Sequence, residues 1–361
     1  MSTVLFVFGT RPEAIKLAPL IEELRRDSFF NVRVCVTGQH REMLAQVLEL
    51  FAIVPDVDLD VMQPKQELSS LAAAVLEKLP DVLRQFGPSL VVVQGDTTSA
   101  FAAGLATFYG GIDVAHVEAG LRSGDVSAPW PEEANRRLLS VVARYHFAPT
   151  EEARANLLRE GVDPARVHVT GNTVIDALHA TVARMPAEEA DPSRRLILVT
   201  GHRRESFGAP IEEICHALAT IAREHEDVEI VYPVHLNPQV REPVLRILGG
   251  IDRVRLIDPV DYVTFVQLMT RSYCILTDSG GVQEEAPTLG IPVLVLRDTT
   301  ERPEAVRAGN ARVVGTSRTA IVAEVTRLLT DREHHASMSK SSTVFGDGRA
   351  AARIAAILRE G

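Results

Sequence analysis

Cysteine is scarce. Cys35, Cys215 and Cys274 are an odd number, widely spaced, and each lies in or beside an apolar run. That excludes a disulfide framework and leaves thiols that pack as small hydrophobes. Nor is there an apolar span of about 18 residues, the length of a membrane-crossing helix, or a basic leader before Val4. No membrane association is expected, and the expected compartment is the cytoplasm. Positive charge is in deficit: 38 Lys and Arg against 48 Asp and Glu give a net charge of −10. This is the wrong sign for a nucleic-acid partner. No Gly-x-Gly-x-x-Gly fingerprint for a dinucleotide occurs. The segment His116-Val117-Glu118 resembles half of a zinc-deaminase signature, but no Pro-Cys-x-x-Cys completes it. Neither cofactor nor metal is expected.

What is present is the make-up of a soluble globular chain, 46% hydrophobic and 24% charged. At 361 residues it is long for one core, given roughly 100–200 residues per domain, so two domains are expected. Short β-branched runs at Val4–Phe8, Val32–Val36, Leu90–Val93 and Val114–Val117 alternate with helical patterns such as Glu13–Arg26, Arg41–Leu50 and Ser99–Phe108. The rhythm resumes at Leu196–Val199, Val228–Val231, Val254–Ile257, Cys274–Leu276 and Val293–Leu296. This is βαβ patterning, predicting two doubly wound α/β domains with parallel sheets. The polar, proline-bearing stretch Met185–Arg194 marks the linker. Domains of 1–180 and 181–361 follow, with the last helix packing back on the first domain.

Ligands of open parallel sheets bind beyond the carboxyl ends of the strands, so the residues just after each run carry the chemistry. Gly9-Thr10-Arg11-Pro12-Glu13 follows the first, with Thr10 suited to cap a helix, Pro12 to its first turn, and Arg11 and Lys16 near its start. Asp96 follows Val93 after two residues, and Glu118 follows Val117, so two carboxylates share one edge. In SAPWPEEANRRL, residues 127–138, Pro131 opens a helix that puts Glu132 and Arg136 at i and i+4 on one face and turns Glu133 elsewhere. In GHRRESFG, residues 201–208, His202, Arg203 and Arg204 form a basic cluster after a strand, which on a net acidic chain points to an anion. In TDSGGVQEEAP, residues 277–287, Ser279, Gly280 and Gly281 begin a helix whose amides and dipole make an anion seat. Glu284 and Glu285 would repel phosphate if aimed at it, so at least one faces hydroxyls, as of a ribose.

With these segments in hand, the chain resembles the non-hydrolysing UDP-N-acetylglucosamine 2-epimerases. The resemblance runs through FGTRPEAIKLAPLI, TGQHREML, QGDTTSA, HVEAGLRSGD, PWPEEANR, HFAPT, TGHRRESFG, PVHLNP, TDSGGVQEEAPTLGIPVL and RDTTERPEAV, nearly the whole length. It implies a glycosyltransferase-B-like pair of Rossmann-type domains, a homodimer and a substrate in the interdomain cleft. It also implies UDP-N-acetylglucosamine and UDP-N-acetylmannosamine as the ligands. By resemblance, Arg11, Lys16, Asp96, Glu118, Glu132, Arg136 and His202 line the reacting region. Phe265, Ser279, Gly280, Gly281, Glu285 and Arg302 hold the UDP. Gln39, His40, Arg41, Glu42, Lys65, Gln66 and His235, not needed for the chemistry, fall in blocks that serve a regulatory substrate site in related bacterial enzymes. Ser127, Ala128 and Val260 depart from the family's more typical residues, which touches fine positioning rather than the carboxylates.

Three rival readings share these residues: a hydrolysing 2-epimerase, a retaining glycosyltransferase, and a silent sensor of UDP-sugars. The RPEAIK and RDTTERPEA segments favour the non-hydrolysing branch over the first. No acceptor-recognition signal supports the second, and a sensor could dispense with Asp96, Glu118 or Glu132, all of which are here.

Overall fold

A computed structural model describes residues 1–38, 41–63, 66–186, 194–201, 203 and 206–360, with side chains described for all of these but 41–43. The chain divides into two compact units, Met1–His179 with Phe345–Gly361, and Ala180–Val344. The first holds a parallel sheet of β1 (Ser2–Phe8), β2 (Phe30–Val36), β3 (Val57–Asp58), β4 (Leu90–Gln94), β5 (Asp113–Val117), β6 (Tyr145–Ala148) and β7 (Val167–Val169). Its order is β3-β2-β1-β4-β5-β6-β7. The second holds β8 (Arg195–Thr200), β9 (Val228–Pro233), β10 (Val254–Ile257), β11 (Ser272–Thr277), β12 (Val293–Val295) and β13 (Ala311–Val313), ordered β10-β9-β8-β11-β12-β13. Each is therefore a doubly wound Rossmann-like α/β sheet. Each reverses strand order once, at β1/β4 and at β8/β11, which is where such sheets bind ligands.

Helices follow most strands, and covering both sheet faces is why the strands read as unbroken apolar runs. In β1, Val4 to Phe8 are all buried, and Leu5 and Val7 pack with Val75, Leu79, Val91 and Val93. In the second unit Ile197, Val199, Leu218, Ile230 and Leu276 share the core. All three cysteines are free and buried, and burial pushes each thiol up to about 12, so they pack as hydrophobes. The C-terminal helix Ala350–Glu360 packs on the helix Arg11–Arg26 of the first unit. Its Ala350 and Ala351 amides donate to the Asp176 carboxylate, 3.2 and 2.9 Å away, which caps it. No described helix is long and apolar enough to cross a membrane.

Candidate active site

At the β1/β4 switch point the helix Arg11–Arg26 starts with a capping box. The Glu13 amide donates to Thr10 Oγ1, and the Thr10 amide donates to Glu13 Oε2 at 2.7 Å. Glu13 does more than cap. Its Oε2 also accepts from the Gly9 amide at 3.1 Å, and its Oε1 accepts from Thr97 Oγ1 at 2.8 Å, beyond the end of β4. One carboxylate thereby ties together the two turns that flank the switch point. Burial raises its pKa, against the pull of hydrogen bonds from the Thr10 and Thr97 side chains and the Gly9 and Thr10 amides. Sequence reading took Glu13 only as part of a helix start; the signal it missed is an acid three residues after a capping threonine and beside a sheet edge.

The second turn of that helix brings Lys16 to Glu118, just past β5, and the two form a buried ion pair. Glu118 is heavily engaged: Oε2 also accepts from Asn172 Nδ2 at 2.7 Å, and Oε1 accepts from Gln94 Nε2 at 3.1 Å. Its φ of +66° lies in the left-handed region, uncommon for any residue but glycine. Strain of that kind persists where the surroundings over-determine a position, and it clusters at functional sites. Asn172 was not singled out from sequence, although it stands three residues past β7 on the same edge.

Asp96 pairs with Arg136, whose side chain is buried, while about a quarter of the Asp96 side chain (26%) is exposed. The Asp96 carbonyl accepts from Asn135 Nδ2 at 3.0 Å, so the helix Glu132–Val142 grips this turn twice. Arg136 is not partnered by Glu132 at i−4; Asp96, 40 residues earlier, outcompetes it. Glu133, expected to turn elsewhere, is fully buried, accepting from the Ser123 amide at 3.0 Å and lying 3.6 Å from Arg136. Glu132 is half-buried at the helix start.

In the second unit, Thr200 ending β8 and Thr277 ending β11 join hydroxyl to hydroxyl at 2.7 Å across the switch point. The helix Gly280–Thr288 begins directly after β11, and Ser279 is its N-cap without a side-chain capping bond. The first N–H groups of a helix have no intrahelical carbonyl, so the Gly280 and Gly281 amides form a donor pair. The Arg302 guanidinium lies against Gly280, where a Cβ would sit 3.2 Å from Cζ. Arg302 Nε donates to Glu284 Oε1 at 2.6 Å, and Glu285 Oε1 accepts from Tyr262 Oη at 2.6 Å. The two acids that would repel an anion are thus engaged: one neutralises Arg302, and the other turns to a tyrosine hydroxyl. Phe265 is half-buried on the neighbouring helix Tyr262–Thr270. Arg203, on the loop after β8, donates its amide to Asp278 at 2.8 Å and comes within 3.9 Å of Glu301. Glu301 is paired with Arg297 at 2.7 Å, and although burial opposes it, these cations hold its pKa down at about 2.

Arg11 is half-buried at the first position of its helix. His202, Gln39, His40 and Lys65 lie outside the described residues, and Arg41 and Glu42 are described only as backbone of the helix Arg41–Leu50. Gln66 closes a small turn, its Oε1 accepting from the Gln63 amide at 3.2 Å; His235 is exposed, with Nδ1 accepting from the Asn237 amide at 3.1 Å.

Residues 22–359 match the family model described as UDP-N-acetylglucosamine 2-epimerase. An Escherichia coli K12 protein named UDP-N-acetylglucosamine 2-epimerase is 58% identical, the alignment covering 99% of this chain and 98% of that one. Among solved structures, the UDP-GlcNAc 2-epimerase of Neisseria meningitidis bound to UDP-GlcNAc aligns with a TM-score of 0.96 at 47% identity, over 99% of this chain and 100% of its own. An S. aureus MnaA–UDP co-structure aligns with a TM-score of 0.94 at 44% identity, over 100% of this chain and 96% of its own.

Proposed function

From the premise that the chain belongs to the UDP-N-acetylglucosamine 2-epimerase family, we propose that it interconverts UDP-N-acetylglucosamine and UDP-N-acetylmannosamine, as a cytoplasmic homodimer, without releasing the sugar. The C2 hydrogen of a 2-acetamido sugar is not acidified by a neighbouring carbonyl carbon, so direct deprotonation would require a prohibitive carbanion. Elimination avoids it. A carboxylate takes the C2 proton, the C1–O bond breaks with its electron pair leaving on UDP, and a C1–C2 double bond forms, giving a 2-acetamidoglucal. UDP then adds back through oxygen to C1 while a carboxylic acid returns a proton to C2 on the opposite face.

The reaction needs carboxylates near C2 and positive groups at the departing diphosphate. Asp96, Glu118 and Glu132 are the candidates for the first role. Arg11, Arg302, His202 and the Gly280 and Gly281 amides are those for the second, each preorganised donor worth about 3–4 kcal/mol of transition-state stabilisation. Phe265, Ser279 and Glu285 complete the nucleotide seat. Lys16 and Arg136 hold two of the carboxylates. The observation that carries the reading is Glu118, a strained carboxylate gripped by Lys16, Asn172 and Gln94 on a sheet's binding edge. Such a group is built for proton work on a ligand, and neither a structural cap nor a sensor requires it.

Incubating UDP-N-acetylglucosamine with the protein in deuterated water and following proton NMR tests this. The expected product is UDP-N-acetylmannosamine deuterated at C2. Free sugar with UDP would establish the hydrolysing alternative, and an unchanged spectrum would establish the sensor.

The blocks containing Gln39, His40, Arg41, Glu42, Lys65, Gln66 and His235 we read as a second site for UDP-N-acetylglucosamine that favours the closed, water-excluding state. Pure UDP-N-acetylmannosamine should then be turned over with a lag that a trace of UDP-N-acetylglucosamine abolishes. Full initial velocity without it would refute the second site.

A further inference from the structure

His116 has no part in the roles assigned above, yet it lies two residues before Glu118 and bonds to the residue before Asp96. It is a fully buried residue of β5, the strand that ends immediately before Glu118, and it pairs in register with Val93 of β4. Its Nε2 lies 2.7 Å from the Gly95 carbonyl oxygen. A carbonyl can only accept, so Nε2 carries the proton and donates. Gly95 also donates its own amide to the Val117 carbonyl at 3.0 Å. Both polar groups of this one peptide residue are therefore fastened to β5, one on each side of the bend. The bend itself favours glycine, for Gly95 has a φ of +71°; the Glu118 carboxylate lies close by, 3.9 Å from where a Cβ would sit. The next residue is Asp96.

We propose that His116 is a positioning residue: its Nε2–H holds the Gly95 carbonyl and so fixes the Asp96 turn relative to the strand that carries Glu118. Asn135 and Arg136 grip the same turn from the helix side. His116 supplies the opposing anchor from within the sheet. Two carboxylates that serve one sugar carbon must keep their separation, because misplacing a reacting group by about 1 Å can cost a hundredfold in rate.

The role requires a proton on Nε2, and the surroundings keep the rest of the ring unprotonated. Nδ1 is buried with no hydrogen-bond partner among the described residues, so a second proton there would be a donor without an acceptor. The pKa is lowered to about 4: burial is the largest influence and Arg122 and Arg136 act with it, against the Gly95 bond and Glu118. His146, its register partner on β6, is likewise held low by burial, at about 3. At neutral pH the ring is therefore uncharged and in the Nε2–H form.

The inference rests on the epimerase reading, and the experiment separates the two. Nitrogen-15 NMR of histidine-labelled wild-type protein between about pH 6 and 8 should report His116 as the neutral Nε2–H tautomer; a ring whose Nε2 carries no proton overturns the proposal whatever the protein catalyses. In the deuterium assay, wild-type turnover validates the reading itself. His116→Leu fills the space without a donor and should lose roughly 30-fold or more in kcat, with UDP affinity by calorimetry within about threefold. His116→Gln, whose amide reaches where Nε2 was, should recover to within about fivefold of wild type. Equal damage in both variants, or a loss confined to KM, would make His116 a packing residue and overturn the proposal. If His116→Leu fails to fold, the tautomer measurement and the Gln variant decide.

Discussion

Glu118→Gln is expected to lower turnover by at least about a thousandfold, roughly 4 kcal/mol of transition-state stabilisation, while UDP affinity stays within about threefold. The shape of the side chain is kept, and its hydrogen bonds can be kept too. With the amide oxygen turned to Lys16 and Asn172, the new NH2 faces Gln94, whose own amide can rotate to offer its oxygen. What cannot be kept is a base. An amide takes no proton from C2, so the effect falls on kcat. The nucleotide seat around Gly280 and Arg302 lies in the other structural unit and is untouched. The change also removes the charge opposite Lys16 in a buried pair, for which a stability loss of about 3 kcal/mol is expected. Assays therefore belong well below the unfolding temperature, with calorimetric UDP binding as the proof of folding. Epimerisation within tenfold of wild type would remove Glu118 from the catalytic set and pass the base role to Asp96 or Glu132.

How much of this could be read from the sequence depended on whether a feature is local. The long central strands were legible, because β1, β4, β8 and β11 are buried on both faces and leave apolar runs, and β5 was legible despite His116 because Val114, Ala115 and Val117 surround it. β3, of two residues, and β13, of three, leave no pattern to find, and β6 has only four residues, the first two Tyr145 and His146. Residues just past the strands were legible as well, since a sheet's carboxyl edge can be located once its strands are. Their partners were not. Lys16 meets Glu118 across 102 positions, and Asn172 meets it across 54. Helical spacing, a purely local argument, puts Glu132 and Arg136 on one face but says nothing of Asp96, the partner the fold supplies. The Glu13–Thr97 bridge escaped for the same reason, for a capping box is visible within four residues while the second lone-pair set of its glutamate is spent 84 residues away.

Arg302→Ala should weaken UDP binding by about a hundredfold, close to 3 kcal/mol, the larger of the two nucleotide-seat effects because it changes two charges' surroundings at once. The guanidinium is withdrawn from the diphosphate. It is also withdrawn from Glu284, a fully buried residue of the same helix that presents Gly280 and Gly281, so a negative charge it had offset is left uncompensated close to the anion seat. Two further variants separate these contributions. Arg302→Ala combined with Glu284→Gln removes the exposed repulsion and should recover about tenfold of the lost affinity, a coupling that a simple contact loss would not produce. Gly280→Val leaves Arg302 and Glu284 in place but puts a branched side chain where even a Cβ would lie 3.2 Å from the guanidinium carbon and 3.3 Å from one of its nitrogens. The cation must swing away and the amides are shielded, so affinity should again fall, by about tenfold or more. Calorimetry with UDP alone reads all three, without turnover and so independently of which carboxylate is the base. Unchanged affinity in Arg302→Ala and in Gly280→Val together would mean that the diphosphate is held elsewhere on the β8/β11 edge, with the basic loop after β8 the next place to look.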